Sequence, residues 1–181
     1  MKQMNTPNKL TLLRVIMIPF FVVFMLADLG SWSKWAALIV FVVASMTDWL
    51  DGYLARRDHL VTDFGKFMDP LADKLLVCSA LICLTDMDRI PSWVVIVIIG
   101  REFIISGFRL IASDNGVVIA ANYWGKAKTV CQVIMTIVLI ADLGSSVYLL
   151  EQVLIYASLL LTVISLVTYL WQNRKVLSMQ E

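Results

Sequence analysis

Six stretches of this chain, residues 10–28, 34–56, 66–84, 91–112, 124–142 and 147–171, are predominantly apolar, and each is about twenty residues long, the length a bilayer-crossing helix needs. That repetition limits the fold more than any other feature. A crossing segment must satisfy its own backbone polar groups, so only helices or closed barrels qualify. The runs are too long for barrel strands and lack their alternation. Hydrophobic residues fill 60% of the 181 positions, above the roughly half-apolar level of soluble domains. The sequence therefore predicts an all-α integral membrane protein with six transmembrane helices. The connections are 28–33, 57–65, 85–90, 113–123 and 143–146. Pro91 starts the fourth helix, and Pro70 lies early in the third, where tilt or kinking is expected. No internal repeat or low-complexity segment interrupts the pattern, and residues 1–181 read as a single membrane domain.

Net charge is only +1, which gives no reason to expect a nucleic acid partner. The distribution of charge is more informative. With the N-terminus inside, Lys2, Lys9, Arg14, Arg56, Arg57, Lys66, Lys74, Arg101, Arg109, Lys126, Lys128, Arg174 and Lys175 fall on the cytosolic side, and only Lys34 and Arg89 fall outside. The outer turns carry Asp28, Asp86, Asp88, Asp142 and Glu151 instead. This positive-inside bias predicts that both termini are cytosolic. The run Val15–Leu26, preceded by basic residues, imitates a secretory signal, but no small-x-small cleavage site follows, and it reads as a retained first helix. The absence of transit-peptide composition favours a bacterial inner membrane. Cys78, Cys83 and Cys131 sit in apolar runs and read as small hydrophobes rather than a disulfide framework. His59 is the only histidine, which argues against a histidine-rich metal site or a catalytic triad.

Acids in such a chain are costly and therefore suspect of function. Asp48, Asp51, Gly52 and Ala55 recur at i, i+3, i+4 and i+7, one face of a helix. Arg56 lies near that face, where a guanidinium can fork onto phosphate. Eight residues later comes Gly65, then Asp69 and Asp73 at i and i+4. A short cytosolic loop makes the two helices antiparallel neighbours, so their acidic faces can meet. Four converging carboxylates repel unless cations lie between them, and an oxygen-only donor set suits Mg²⁺, Mn²⁺ or Ca²⁺. Mg²⁺ commonly works with carboxylates and substrate phosphates together, so a pyrophosphate substrate fits. The small residues leave room for a bulky ligand. On spacing alone, a cation pathway through the membrane stays open as an alternative.

The pattern Asp48-x-x-Asp51-Gly52-x-x-Ala55-Arg56, eight residues, then Gly65-x-x-x-Asp69-x-x-x-Asp73 resembles the complete signature of the CDP-alcohol phosphotransferase family. The resemblance implies a site for two divalent ions, Mg²⁺ or Mn²⁺, on Asp48, Asp51, Asp69 and Asp73. It implies Asp73 as general base, a CDP-lipid held near Gly52, Ala55, Arg56 and Gly65, and a homodimer.

Three further clusters bear on the acceptor alcohol. The segment Pro7–Arg14 contains Asn8 and Thr11, either of which can cap a helix. It also resembles a short surface segment, with Asn8 and Arg14, that precedes the first span in the bacterial branch of the family using glycerol 3-phosphate. Arg101 and Glu102 lie inside the fourth run, as a structural pair or as support for the site. Arg109 follows eight residues later on nearly the same face. Lys126 and Lys128 open the fifth run behind Trp124 and Gly125; either alone reads as an interfacial anchor. Together with Arg109 they are the material of an anion pocket suited to a dianionic alcohol. These last two clusters also resemble that branch, which implies CDP-diacylglycerol and glycerol 3-phosphate as substrates, with sister acceptors of the serine, inositol-phosphate or cardiolipin type as alternatives.

Overall fold

Every regular element among the described residues is helical: α1 (Thr6–Leu26), α2 (Ser33–Arg57), α3 (Asp63–Asp86), α4 (Ser92–Asp114), α5 (Tyr123–Ala141) and α6 (Tyr148–Gln172), with a single 3₁₀ turn at Ser145–Val147 before α6. The computed structural model describes residues 6–27, 29–57, 63–114, 119 and 122–174; within the helices, the side chains of 6–10, 48–57, 63–70, 73 and 114 are outside the described set. Lys2, Asp28, His59 and Lys175 also lie outside the described residues. Five helices begin and end within about three residues of the expected runs. The first differs. The surface segment expected before it is instead the opening of one continuous 21-residue helix from Thr6. Pro7 does not prevent this, because a proline in the first turn forfeits an N–H that has no helical partner. Pro19 lies within the same helix. At the start of α4, the Pro91 carbonyl accepts from the N–H groups of Val94 and Val95. Gly30 and Gly144 take φ of +95° and +83° in the turns before α2 and α6, a region where a Cβ would be strained.

The chain divides into two compact units, Met1–Met87 with Leu139–Asp142, and Asp88–Val138 with Leu143–Glu181. In the first, α1 packs against α2 and α3. Its inward stripe is Thr11, Arg14, Ile18, Phe21 and Met25, facing small and aromatic positions such as Ala37, Phe41, Ala44, Ala72 and Ala80. Phe21 and Phe41 meet with ring centroids 5.9 Å apart. The side chain of Lys34 donates to the carbonyl of Asp142 at 3.3 Å, joining two residues that charge bias assigns to the same side.

In the second unit α4 packs on α6. The polar contacts give the direction: Arg89 pairs with Glu151 near the start of both helices, and Arg109 bonds Tyr169 near their ends. The two helices therefore run parallel, with α5 returning between them in sequence. Asn122 caps α5 by accepting from the Trp124 N–H at 3.4 Å, and its amide donates to Thr168 and Gln172 of α6. The start of α5 is thereby tied to the end of α6.

Around an apolar core, the described residues bury several polar groups and expose many large hydrophobics. Buried positions include Thr11, Arg14, Arg101, Lys128, Gln132, Thr136, Glu151, Ser158, Thr162 and Ser165, whereas Ile96 is 69% exposed, Phe103 63% and Ile39 62%. Apolar exposure of this extent marks a surface that meets something other than water. Hydroxyls within the helices bond their own backbone: Thr136 donates to the Gln132 carbonyl, Thr162 to Ser158 and Thr168 to Ile164. Exposed aromatics bracket α6, Tyr148 at one end and Trp171 at the other. At 1.5 Å per residue they are about 34 Å apart, close to a bilayer core with its interfacial aromatic belts. Tyr123–Ala141 and Ser145–Gln172 are long and apolar enough to cross a membrane, and Thr11–Leu26 and Ser33–Thr47 form shorter apolar stretches. The fold is thus all-helical and consistent with a membrane protein.

Candidate active site

In the first unit, the last turns of α2 carry Asp48, Asp51, Gly52, Ala55 and Arg56, and the opening turns of α3 carry Gly65, Asp69 and Asp73. The backbone is helical through both segments, so the i, i+3 and i, i+4 spacings hold, and α2 and α3 are packed neighbours. The side chains of these eight residues lie outside the described set, as does that of Asn8. Among the described residues no group of three or more His, Cys, Asp or Glu could hold a metal ion. The donor chemistry nevertheless fits a hard divalent cation, since four carboxylates on two adjacent helices supply oxygen only. Arg14, on α1 of the same unit, is completely buried, and Thr11 one turn before it is 1% exposed. A buried guanidinium in an apolar bundle requires compensation, and Arg14 has interactions within the fold.

The second unit collects the cations. Arg101 and Lys128 converge on one carboxylate, Glu102. The Arg101 guanidinium lies 3.1 Å from Glu102 Oε1, and the Lys128 ammonium pairs with the same oxygen. Arg101 Nε donates to Ser165 Oγ at 3.1 Å, and Ser165 in turn donates to the Thr162 carbonyl at 2.9 Å. This guanidinium touches α4, α5 and α6 together, because a Cβ at Gly125 would come within 3.3 Å of its Nη2. The side chains of Arg101 and Lys128 are 9% and 2% exposed. Two cations thus share one acid where burial makes charge strongly felt.

Arg109 lies elsewhere on α4. Its Nε donates to Tyr169 Oη at 3.2 Å, and its Cζ is 5.6 Å from the Tyr169 ring centroid. Phe108 meets the same ring edge-on at 5.8 Å. Lys126 is exposed near the start of α5. Of the residues expected to bind or support the acceptor, Arg101, Glu102 and Lys128 form one cluster, Arg109 is held by Tyr169, and Lys126 stands exposed without joining either. The contacts of α4, α5 and α6 put all of them toward the same end of this unit. Sequence reasoning passed over Ser165, Tyr169 and Asn122. A signal was present: Ser158, Thr162, Ser165 and Tyr169 form a helical-period stripe in an otherwise apolar run.

These features meet known proteins at one point. The sequence model of the CDP-alcohol phosphatidyltransferase family matches residues 4–164. The chain belongs to the CDP-alcohol phosphatidyltransferase family. Membership makes it a transferase and removes the cation-pathway alternative. Relatives from three bacteria carry the same name, CDP-diacylglycerol–glycerol-3-phosphate 3-phosphatidyltransferase. The Bacillus subtilis (strain 168) protein is 51% identical over 142 residues, 72% of this chain and 73% of its own. That of Haemophilus influenzae is 37% identical over 171 residues, 92% of this chain and 91% of its own. The Escherichia coli (strain K12) protein is 44% identical over 138 residues, 73% and 74% of the two chains. The family match runs through α1 to α5 and most of α6, so it takes in both the aspartate helices and the cation-bearing α4 and α5.

Proposed function

We propose that this chain is a phosphatidylglycerophosphate synthase: it transfers the phosphatidyl group of CDP-diacylglycerol to sn-glycerol 3-phosphate, releasing CMP. The observation that carries the acceptor assignment is that Arg101, Lys128 and Arg109 lie toward one end of the second unit, the first two on the shared Glu102 and Arg109 on Tyr169. A neutral alcohol gives such a cluster no task, whereas a phosphate monoester dianion does. The names borne by relatives at 37–51% identity support the same choice.

In this reading Asp48, Asp51, Asp69 and Asp73 hold two divalent ions, Mg²⁺ or Mn²⁺. Gly52, Ala55 and Gly65 leave backbone space for the CDP moiety, and Arg56 pairs with its phosphates. Glycerol 3-phosphate docks its phosphate on Arg109, Lys126 and Lys128, with Arg101 and Glu102 fixing Lys128. Arg14 and Asn8 support the site from α1. The acceptor hydroxyl loses its proton to Asp73 as its oxygen bonds to the lipid-side phosphorus. The bond from that phosphorus to the bridging oxygen breaks, and CMP departs with the electron pair. When bound, the metal ions neutralise charge on the phosphates and the leaving group. The two compact units act as one membrane domain, a reading supported by a family match that spans both. Six spans with both termini and the active site on the cytosolic face of a bacterial inner membrane agree with the positive-inside bias. A homodimer is the expected assembly.

The test is direct. Purified protein in detergent is supplied with CDP-diacylglycerol, Mg²⁺ or Mn²⁺ and a panel of alcohols, and CMP release is measured. Glycerol 3-phosphate should be turned over at least tenfold faster than serine, inositol phosphate or phosphatidylglycerol, and chelation should abolish the rate. Preference for another alcohol would overturn the acceptor assignment while leaving the family intact.

A further inference from the structure

Tyr169 lies beyond residue 164, where the family match stops, and its side chain is 2% exposed. A buried tyrosine hydroxyl needs a hydrogen-bond partner. Here the hydroxyl accepts from Arg109 Nε, four residues along α6 from Ser165, which accepts from Arg101 Nε. Both arginines of α4 are thus held at the same nitrogen by a hydroxyl of α6. A guanidinium gripped at Nε loses rotation about its last torsion, and its two Nη groups remain as an end-on fork. At Arg109 neither Nη has a hydrogen-bond partner among the described residues, and the side chain is exposed. The Tyr169 ring is itself fixed by Phe108, within a cluster that also contains Ile105 and Ala112.

We propose that Tyr169 is a positioning residue for the acceptor: its hydroxyl fixes Arg109 so that the free Nη pair receives the phosphate of the acceptor alcohol. The proposal rests on the assignment of Arg109 to acceptor binding. A carboxylate in the place of Tyr169 would orient Arg109 equally well but would compete with the incoming dianion. A neutral hydroxyl orients it and leaves its charge available. The aromatic ring alone could support Arg109 through a cation–π contact, so the hydroxyl is the group to remove.

The experiment is steady-state kinetics of the purified full-length protein, with each substrate varied in turn, for Arg109→Lys, Tyr169→Phe and the double variant, with thermal melting of each. Tyr169→Phe should raise KM for glycerol 3-phosphate about tenfold, equivalent to about 1.4 kcal/mol. KM for CDP-diacylglycerol should stay within twofold. In the Arg109→Lys background, which has no Nε to hold, Tyr169→Phe should add no further change. If Arg109→Lys raises KM for glycerol 3-phosphate and Tyr169→Phe does not, the proposal fails and the acceptor assignment stands. If neither variant moves that KM, the assignment of Arg109 fails and the proposal with it. Equal loss against both substrates with a lowered melting point makes Tyr169 structural only and overturns its positioning role.

Discussion

Glu102 shows how much one side chain can be asked to do. It is the shared partner of Arg101 and Lys128, and replacing it with glutamine would take this carboxylate from two buried cations at once. Breaking a buried ion pair from one side costs about 3–5 kcal/mol. Glu102→Gln should therefore lower the melting temperature markedly, and the loss should be partly recovered in Glu102→Gln/Lys128→Met, where one of the cations is also gone. Melting curves of the two variants decide it. Asp73 carries a different kind of load. If it removes the acceptor proton, Asp73→Asn should reduce kcat by about 10²–10⁴-fold, the usual value of a general base, with CDP-diacylglycerol still bound; a rate near that of the parent would show that another group takes the proton. At this scale the sequence was legible where charge stood out against an apolar background, as at Arg101 and Lys128. Tyr169 was not legible as a partner of Arg109, because an aromatic near the end of an apolar run looks like an interfacial anchor, and the two are sixty residues apart in sequence.

The helices themselves were easy to read, since a run of apolar residues ended by turn-formers leaves little choice of element. Their ends moved by only a few residues. The exception is α1, which opens at Thr6, ahead of the expected run, because Pro7 falls in the one turn that tolerates it. Pairings between helices were less accessible, because lipid-facing and protein-facing positions are equally apolar and hydrophobic periodicity loses its meaning. Polar stripes keep that information, as in α6 and at Lys128, Gln132 and Thr136 of α5. The start of α5 depends on one small residue. Gly125 leaves room beside the Arg101 guanidinium, and an added methyl would press on its Nη2 at 3.3 Å. Gly125→Ala should shift Arg101 by a few tenths of an ångström and raise KM for glycerol 3-phosphate a few-fold, with little change in melting temperature. Gly125→Leu should abolish both folding and activity. Kinetics and melting of the pair distinguish a tight fit from a general intolerance of substitution.

Seen whole, the described residues bury polar groups within an apolar core and expose many large hydrophobics, and the two ends of the second unit differ in charge. One end of the second unit has the Arg89–Glu151 pair at 2.9 Å, while the other collects Arg101, Arg109, Lys126 and Lys128. If the positive-inside rule holds, a membrane-impermeant maleimide should label Ser146→Cys from outside intact cells or spheroplasts, and Ser113→Cys only after the membrane is opened, both in a background lacking Cys78, Cys83 and Cys131. The reverse pattern would invert the topology and put the active site on the wrong face. The self-bonded hydroxyls of α6 carry a consequence for how the protein is made. Thr162, Ser165 and Thr168 each donate to a carbonyl of their own helix, so these three hydroxyl hydrogens are satisfied as soon as α6 is helical, before any other span is present. The charges of α4 and α5 do not have that independence. Lys128 and Glu102 pair across the two helices, so bringing these spans together compensates charge that is costly in lipid.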